Sequence, residues 1–166
     1  MLNAKALTEL LSHNRDERLC RRWYLMTPNG TLLSYSVPTD INDLRKHAAM
    51  AAISWQKYQR QHDDDLRVLS IEADTSNIIM RRIQKQLLLV LEAGVPRRRP
   101  DFVQKVRAED SSSSSTHANG GSSNEYEASS VLKLQRQKLD KLAEAILGEF
   151  ERTAFQMPED AGSTVF

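Results

Sequence analysis

Leu2, Ala6, Leu7, Leu10 and Leu11 recur at helical spacing, which predicts a short amphipathic helix over residues 2–12. Trp23-Tyr24-Leu25-Met26 and Leu32-Leu33-Ser34-Tyr35-Ser36 are apolar runs separated by Pro28-Asn29-Gly30. Proline presets the first turn position, and Asn and Gly tolerate left-handed geometry, so the three segments predict a β-hairpin. Asp40, with Asp43 three residues on, is placed to cap a helix running to about Gln61. Its stripe is Leu44, Ala48, Ala51, Trp55 and Tyr58, and a second row of Ala49, Ala52 and Ile53 widens the apolar surface. A helix apolar almost all round its middle is usually buried on more than one side, so a partner chain is expected to cover part of it.

Leu66–Glu72 reads as a strand, followed by a turn at Ala73–Ser76. The next stretch supports two readings. Ile78, Ile79, Ile83, Leu87, Val90 and Leu91 keep helical spacing and Gly94 sits where a helix would end. The same residues also fit two strands, about 77–83 and 86–93, with Leu87–Leu91 continuous enough for a strand buried on both faces. From Val95 to Ser130 the chain turns to Arg97-Arg98-Arg99 between prolines, Ser111 through Ser115 and a Gly/Ser/Asn run, a content expected to be disordered. The arginine run is read as a solvated loop. Ser129 or Ser130 then caps a last helix whose Leu132, Leu139, Leu142, Ala143, Ile146 and Phe150 share a face, and residues 156–166 form a disordered tail.

With the strand reading, the order is helix, hairpin, helix, three-stranded meander, helix. That order predicts an α/β (α+β) fold: a five-stranded antiparallel sheet, the middle helix on one face and the two terminal helices on the other. One domain would comprise residues 1–94 and 131–155, interrupted by the 95–130 insertion.

Composition narrows the function by exclusion. Lys and Arg number 23 against 22 Asp and Glu, a net charge of +1, so there is no global field for nucleic acid or anionic lipid. The amino terminus lacks the apolar core of a secretory signal, and no apolar run approaches a membrane span; membrane residence is expected only through partners. Cys20 is the lone cysteine, and His13, His47, His62 and His117 show no ligand spacing with it. Neither a phosphate-cradling G-x-x-x-x-G-K loop nor a nucleophile elbow occurs. The chain is therefore expected to have no catalytic residues, no cofactor and no metal, and to work by binding proteins.

Met1-Leu2, Lys5-Ala6-Leu7-Thr8 and Leu10-Leu11-Ser12 resemble the opening of the roadblock-family subunit of the Ragulator, the late endosomal and lysosomal adaptor complex. The resemblance continues through Gly30, Leu32–Ser36, Ala51-Ala52-Ile53, Trp55, Tyr58, Asp65-Leu66 and Leu87-Leu88-Leu89. It implies two strands across 77–93, and that reading is adopted against the helical periodicity. Two departures stand out: the family joins its last strand to its last helix by a short connection, and a glycine would be expected after Glu72. The resemblance implies a scaffold that pairs with a second, different roadblock protein through the middle strand and the middle helix. The interface residues it implies are Leu44, Ala48, Ala51, Ala52, Trp55, Leu66, Val68 and Ser70. It further implies a lipid-anchored scaffold subunit around the pair, and Rag-type GTPases docked on it. The place would be the cytoplasmic face of the late endosome, lysosome or vacuole, upstream of TOR signalling. Roadblock domains also serve as dynein light chains and as bacterial regulators of small GTPases.

Overall fold

The computed structural model describes residues 4–16, 18–63, 65–73, 76–95, 104–110 and 123–157, with 123–130 described by backbone alone. The elements are α1 (Ala4–His13), β1 (Arg22–Met26), β2 (Leu32–Tyr35), α2 (Ile41–Gln61), β3 (Leu66–Glu72), β4 (Ser76–Gln84), β5 (Leu87–Gly94), β6 (Lys105–Asp110) and α3 (Ser123–Thr153). One antiparallel sheet holds all the strands in the order β2-β1-β5-β4-β3-β6.

Two apolar layers sandwich that sheet. On one face Leu44, Ala48, Ala51, Ala52 and Trp55 of α2 pack against Tyr24, Met26, Leu66, Leu69, Ile71, Met80, Leu88 and Val90. On the other, Leu7 and Leu11 of α1 and Leu132, Leu139, Leu142, Ala143, Ile146 and Phe150 of α3 pack against Trp23, Leu25, Val68, Ile79, Ile83, Leu87, Leu89 and Leu91. Successive strand residues point to opposite faces. The unbroken run Leu87–Leu91 therefore feeds both layers, and residues 77–93 are two strands rather than a helix. The expected layering, α2 opposite α1 and α3, is the observed one.

Local chemistry sets the joints. The Asp40 carboxylate caps α2 by accepting the Asn42 backbone N–H at 3.0 Å. The β1–β2 turn places Gly30 at φ +92°, a left-handed conformation that favours glycine. Gln56 of α2 donates to the Pro28 carbonyl at 3.0 Å and ties that turn to the helix. On the opposite face, buried Gln135 of α3 donates to the carbonyls of Gly94 (2.7 Å) and Leu19 (3.1 Å) and accepts from the Asn77 amide at 3.0 Å. One side chain thus joins α3 to β4, to the end of β5 and to the loop before β1.

Among the described residues the sheet has six strands, not five. The sixth, Lys105–Asp110, lies within the tract expected to be disordered, and α3 begins at Ser123 instead of 131. β6 gains its order from backbone pairing with β3 over Leu66–Glu72, which needs no apolar side-chain pattern. Residues 96–103 and 111–122 of that tract, with the Arg97–Arg99 run and Ser111–Ser115, lie outside the described residues, as does the tail from 158.

Candidate protein interface

The residues expected to meet a partner are consumed by the chain's own core. Leu44, Ala48 and Trp55 are fully buried beneath the sheet-facing side of α2, and Ala51 and Ala52 are nearly so. Leu66 joins the same layer, whereas Val68 lies under the α1/α3 layer and Ser70 is buried beside it in β3. A register irregularity between Leu66 and Val68 explains why Leu66 and Leu69 share a face despite their odd separation. All eight positions are buried in the free chain itself, and their side chains do not face outward there. Apolar spacing marks the wide face of α2 but does not say which row turns inward.

The outward row is Lys46, Ala49, Met50, Ile53 and Lys57, all exposed. Met50 is 67% and Ile53 68% exposed, large apolar side chains that the rest of the chain leaves in contact with solvent. Ile53 belongs to the second apolar row of the sequence, and Met50 to the middle stretch 48–53 that is apolar almost all round.

The middle strand is closed as well. β6 pairs with β3 from Glu72↔Lys105 to Leu66↔Asp110, so the edge implied for a partner is already hydrogen-bonded. His62 and Asp110 are 2.7 Å apart, and Arg136 of α3 pairs with Glu109. No side chain of β6 is buried, and Val106 is 36% exposed. Ala108 packs against the α2 layer.

Two polar clusters flank these surfaces. A depression of about 580 Å³ is lined by Arg67, Arg81, Arg82, Lys85 and Arg136 together with Asp65 and Asp140. Its cations divide between the two faces: Arg81 (2.7 Å) and Arg136 (3.7 Å) share Asp140 on the α3 side, and Arg82 lies 5.8 Å over the Trp55 ring on the α2 side. At the other end of α2, Arg22 donates to Asp43 at 2.9 Å and lies 3.4 Å from Glu92, with His47 2.6 Å from Glu92. The Arg22 hydrogen bond holds the Asp43 carboxyl below its ordinary range. Burial, with Glu92 nearby, pushes the Tyr24 phenol up. Burial likewise pushes the Cys20 thiol up to about 11, leaving it protonated and unreactive at neutral pH. Among the described residues no group of three or more His, Cys, Asp or Glu side chains is placed to hold a metal, and no helix is long and apolar enough to cross a membrane.

No family model matches the chain, and no curated protein matches its sequence. Solved structures do match its fold. A roadblock/LC7 domain from Streptomyces avermitilis aligns over 87% of this chain and 97% of its own, at TM-score 0.54 and 13% identity. MglB from Myxococcus xanthus aligns over 91% of this chain and 99% of its own, at TM-score 0.56 and 13% identity. At such identity the likeness is one of fold: the chain has the roadblock/LC7 fold.

Proposed function

We propose that this roadblock-fold chain is a non-enzymatic scaffold of the Ragulator type. It pairs with a second, different roadblock protein and is held by a lipid-anchored subunit. The pair docks Rag-type GTPases at the cytoplasmic face of a late endosomal, lysosomal or vacuolar membrane, upstream of TOR.

The observation that carries the pairing is the outward row of α2. Met50 and Ile53, side by side and each about two-thirds exposed, form apolar surface that the chain does not cover for itself. On a helix already buried along Leu44, Ala48 and Trp55, such a second face calls for a partner. The Ragulator assignment rests on the residues that resemble that subunit, from Leu2 through Leu11 and again at Leu32–Ser36 and Leu87–Leu89. The roadblock/LC7 likeness supports it at the level of fold.

The test is a pull-down from native cells with the full chain as bait, read by mass spectrometry, beside a Met50→Asp/Ile53→Asp variant. The expected catch is another roadblock protein, a lipid-anchored scaffold and Rag-type GTPases, lost in the variant. Recovery of dynein intermediate chain instead would transfer the function to the motor complex. A monodisperse monomer that captures nothing would overturn the scaffold reading.

A further inference from the structure

The resemblance implies that a partner pairs along the outer edge of β3, yet in this chain β6 already occupies that edge. A strand edge accepts one neighbour, so both arrangements cannot coexist. We propose that β6 is a resident stand-in for the partner's strand: it closes β3 in the free chain and leaves when a second roadblock-fold chain pairs there. The proposal rests on the roadblock-pairing reading of the function.

The two strands differ in how they are held. β3 is buried at every position except Arg67, so it is anchored by both apolar layers. β6 buries no side chain, and its apolar content is Val106 and Ala108 alone. Besides the backbone ladder, its contacts include the packing of Ala108 on the α2 layer and, at its end, the His62–Asp110 and Arg136–Glu109 pairs, partly exposed and of the kind that add little. Its departure would not unmoor the rest. α3 is fastened to β4 and β5 through Gln135 and the packing of Leu139, Leu142 and Ile146, none of which involves β6.

The composition of β6 suits a cover. Lys105, Arg107, Glu109 and Asp110 make four of its six residues charged, which discourages a further strand from adding to its outer side. Left bare, β3 would offer the unpaired backbone of a strand with apolar neighbours, a template for aggregation. β6 removes that hazard until a roadblock domain, with apolar surface to match Met50 and Ile53, supplies both a strand and a helix. A cover docked ~10- to 100-fold more often than not lowers the partner's apparent affinity by the same factor.

Two forms of the full chain test this. In Val106→Pro/Arg107→Pro, one of two adjacent positions must lose an N–H directed at β3, which breaks the ladder. In Ser70→Cys/Arg107→Cys, the directly paired positions can be joined by a disulfide that locks β6 down and is released by reductant. The probe is the roadblock protein recovered by the pull-down, titrated against each form. The expected order of affinity is proline variant above wild type by at least ~10-fold, wild type equal to the reduced cysteine form, and no binding by the oxidised form. Equal binding by all forms, the oxidised one included, overturns the proposal, because the partner then pairs without moving β6. If no roadblock protein is recovered, the functional reading fails, and hydrogen exchange on the free chain decides the release of β6. Amides of β6 exchanging at least ~10-fold faster than those of β4 and β5 support a releasable edge; equal protection overturns it.

Discussion

Trp55→Ala and Ile53→Ala lie two positions apart on α2, and the structure assigns them very different costs. Trp55 is fully buried, with the Arg82 guanidinium 5.8 Å over its ring. Truncating a buried Trp costs about 3–5 kcal/mol through lost burial and the cavity left behind. Loss of the cation–π contact adds about 0.5–1 kcal/mol. Ile53 is 68% exposed, so about a third of its surface is covered. A fully buried Ile is worth about 1.5–3 kcal/mol, which scales to about 0.5–1 kcal/mol here. The better helix propensity of Ala returns a few tenths of that. The expected difference between the two variants is therefore about 3 kcal/mol or more, a large part of a typical total of about 5–15 kcal/mol. Urea unfolding followed by tryptophan-independent far-UV dichroism measures it, with the slope checked for constancy. Runs at two chain concentrations separate folding from self-association, which would make the Ile53 effect grow with concentration. If Ile53→Ala cost as much as Trp55→Ala, or if Trp55→Ala cost less than about 1 kcal/mol, α2 would be rotated on the sheet. The row Leu44, Ala48, Ala51 and Trp55 would then be free for a partner after all.

Other outcomes follow from single sites. A Cβ at Gly94 would sit 2.1 Å from the Arg18 carbonyl oxygen, whereas one at Gly148 meets nothing within 4 Å. Thermal melts should show Gly94→Ala destabilised by several degrees and Gly148→Ala unchanged or raised, by up to about 1 kcal/mol of helix propensity. Gln135→Leu removes the donor to the Gly94 and Leu19 carbonyls and one acceptor of the Asn77 amide, and should cost roughly 1–3 kcal/mol in urea unfolding. Cys20 should resist alkylation at pH 8 in the folded chain and react on unfolding. Its folded pKa of about 11 lies above the thiol's ordinary value of 9.0, so the unfolded chain loses the proton first. The thiol's contribution to stability is then complete below pH 9 and is lost as pH rises toward 11. Asp43 should titrate below the ordinary carboxylate range by NMR and return toward it in Arg22→Gln, since that hydrogen bond is the leading cause of its shift. Any stability this shift confers is present above the unfolded carboxyl pKa and fades as pH falls through the folded one.

The amino-acid sequence by itself determined α1, the hairpin, α2 with its Asp40 cap and the extent of β3. Those features are written in side chains: apolar spacing selects period and face, and Asp40, Pro28, Asn29 and Gly30 carry local backbone preferences. Residues 77–93 were ambiguous because central strands covered on both faces are apolar throughout and so satisfy helical spacing too. The resemblance, not the periodicity, selected the strands. Only the tertiary structure decided which row of α2 turns inward. Both rows are apolar in sequence, and Leu44, Ala48 and Trp55 are taken by the sheet while Met50 and Ile53 are left outside. Only the tertiary structure revealed β6, since Lys-Val-Arg-Ala-Glu-Asp carries almost no apolar pattern. Its order comes from backbone N–H and C=O groups meeting an open strand distant in the sequence, and every residue type except proline offers that pairing alike.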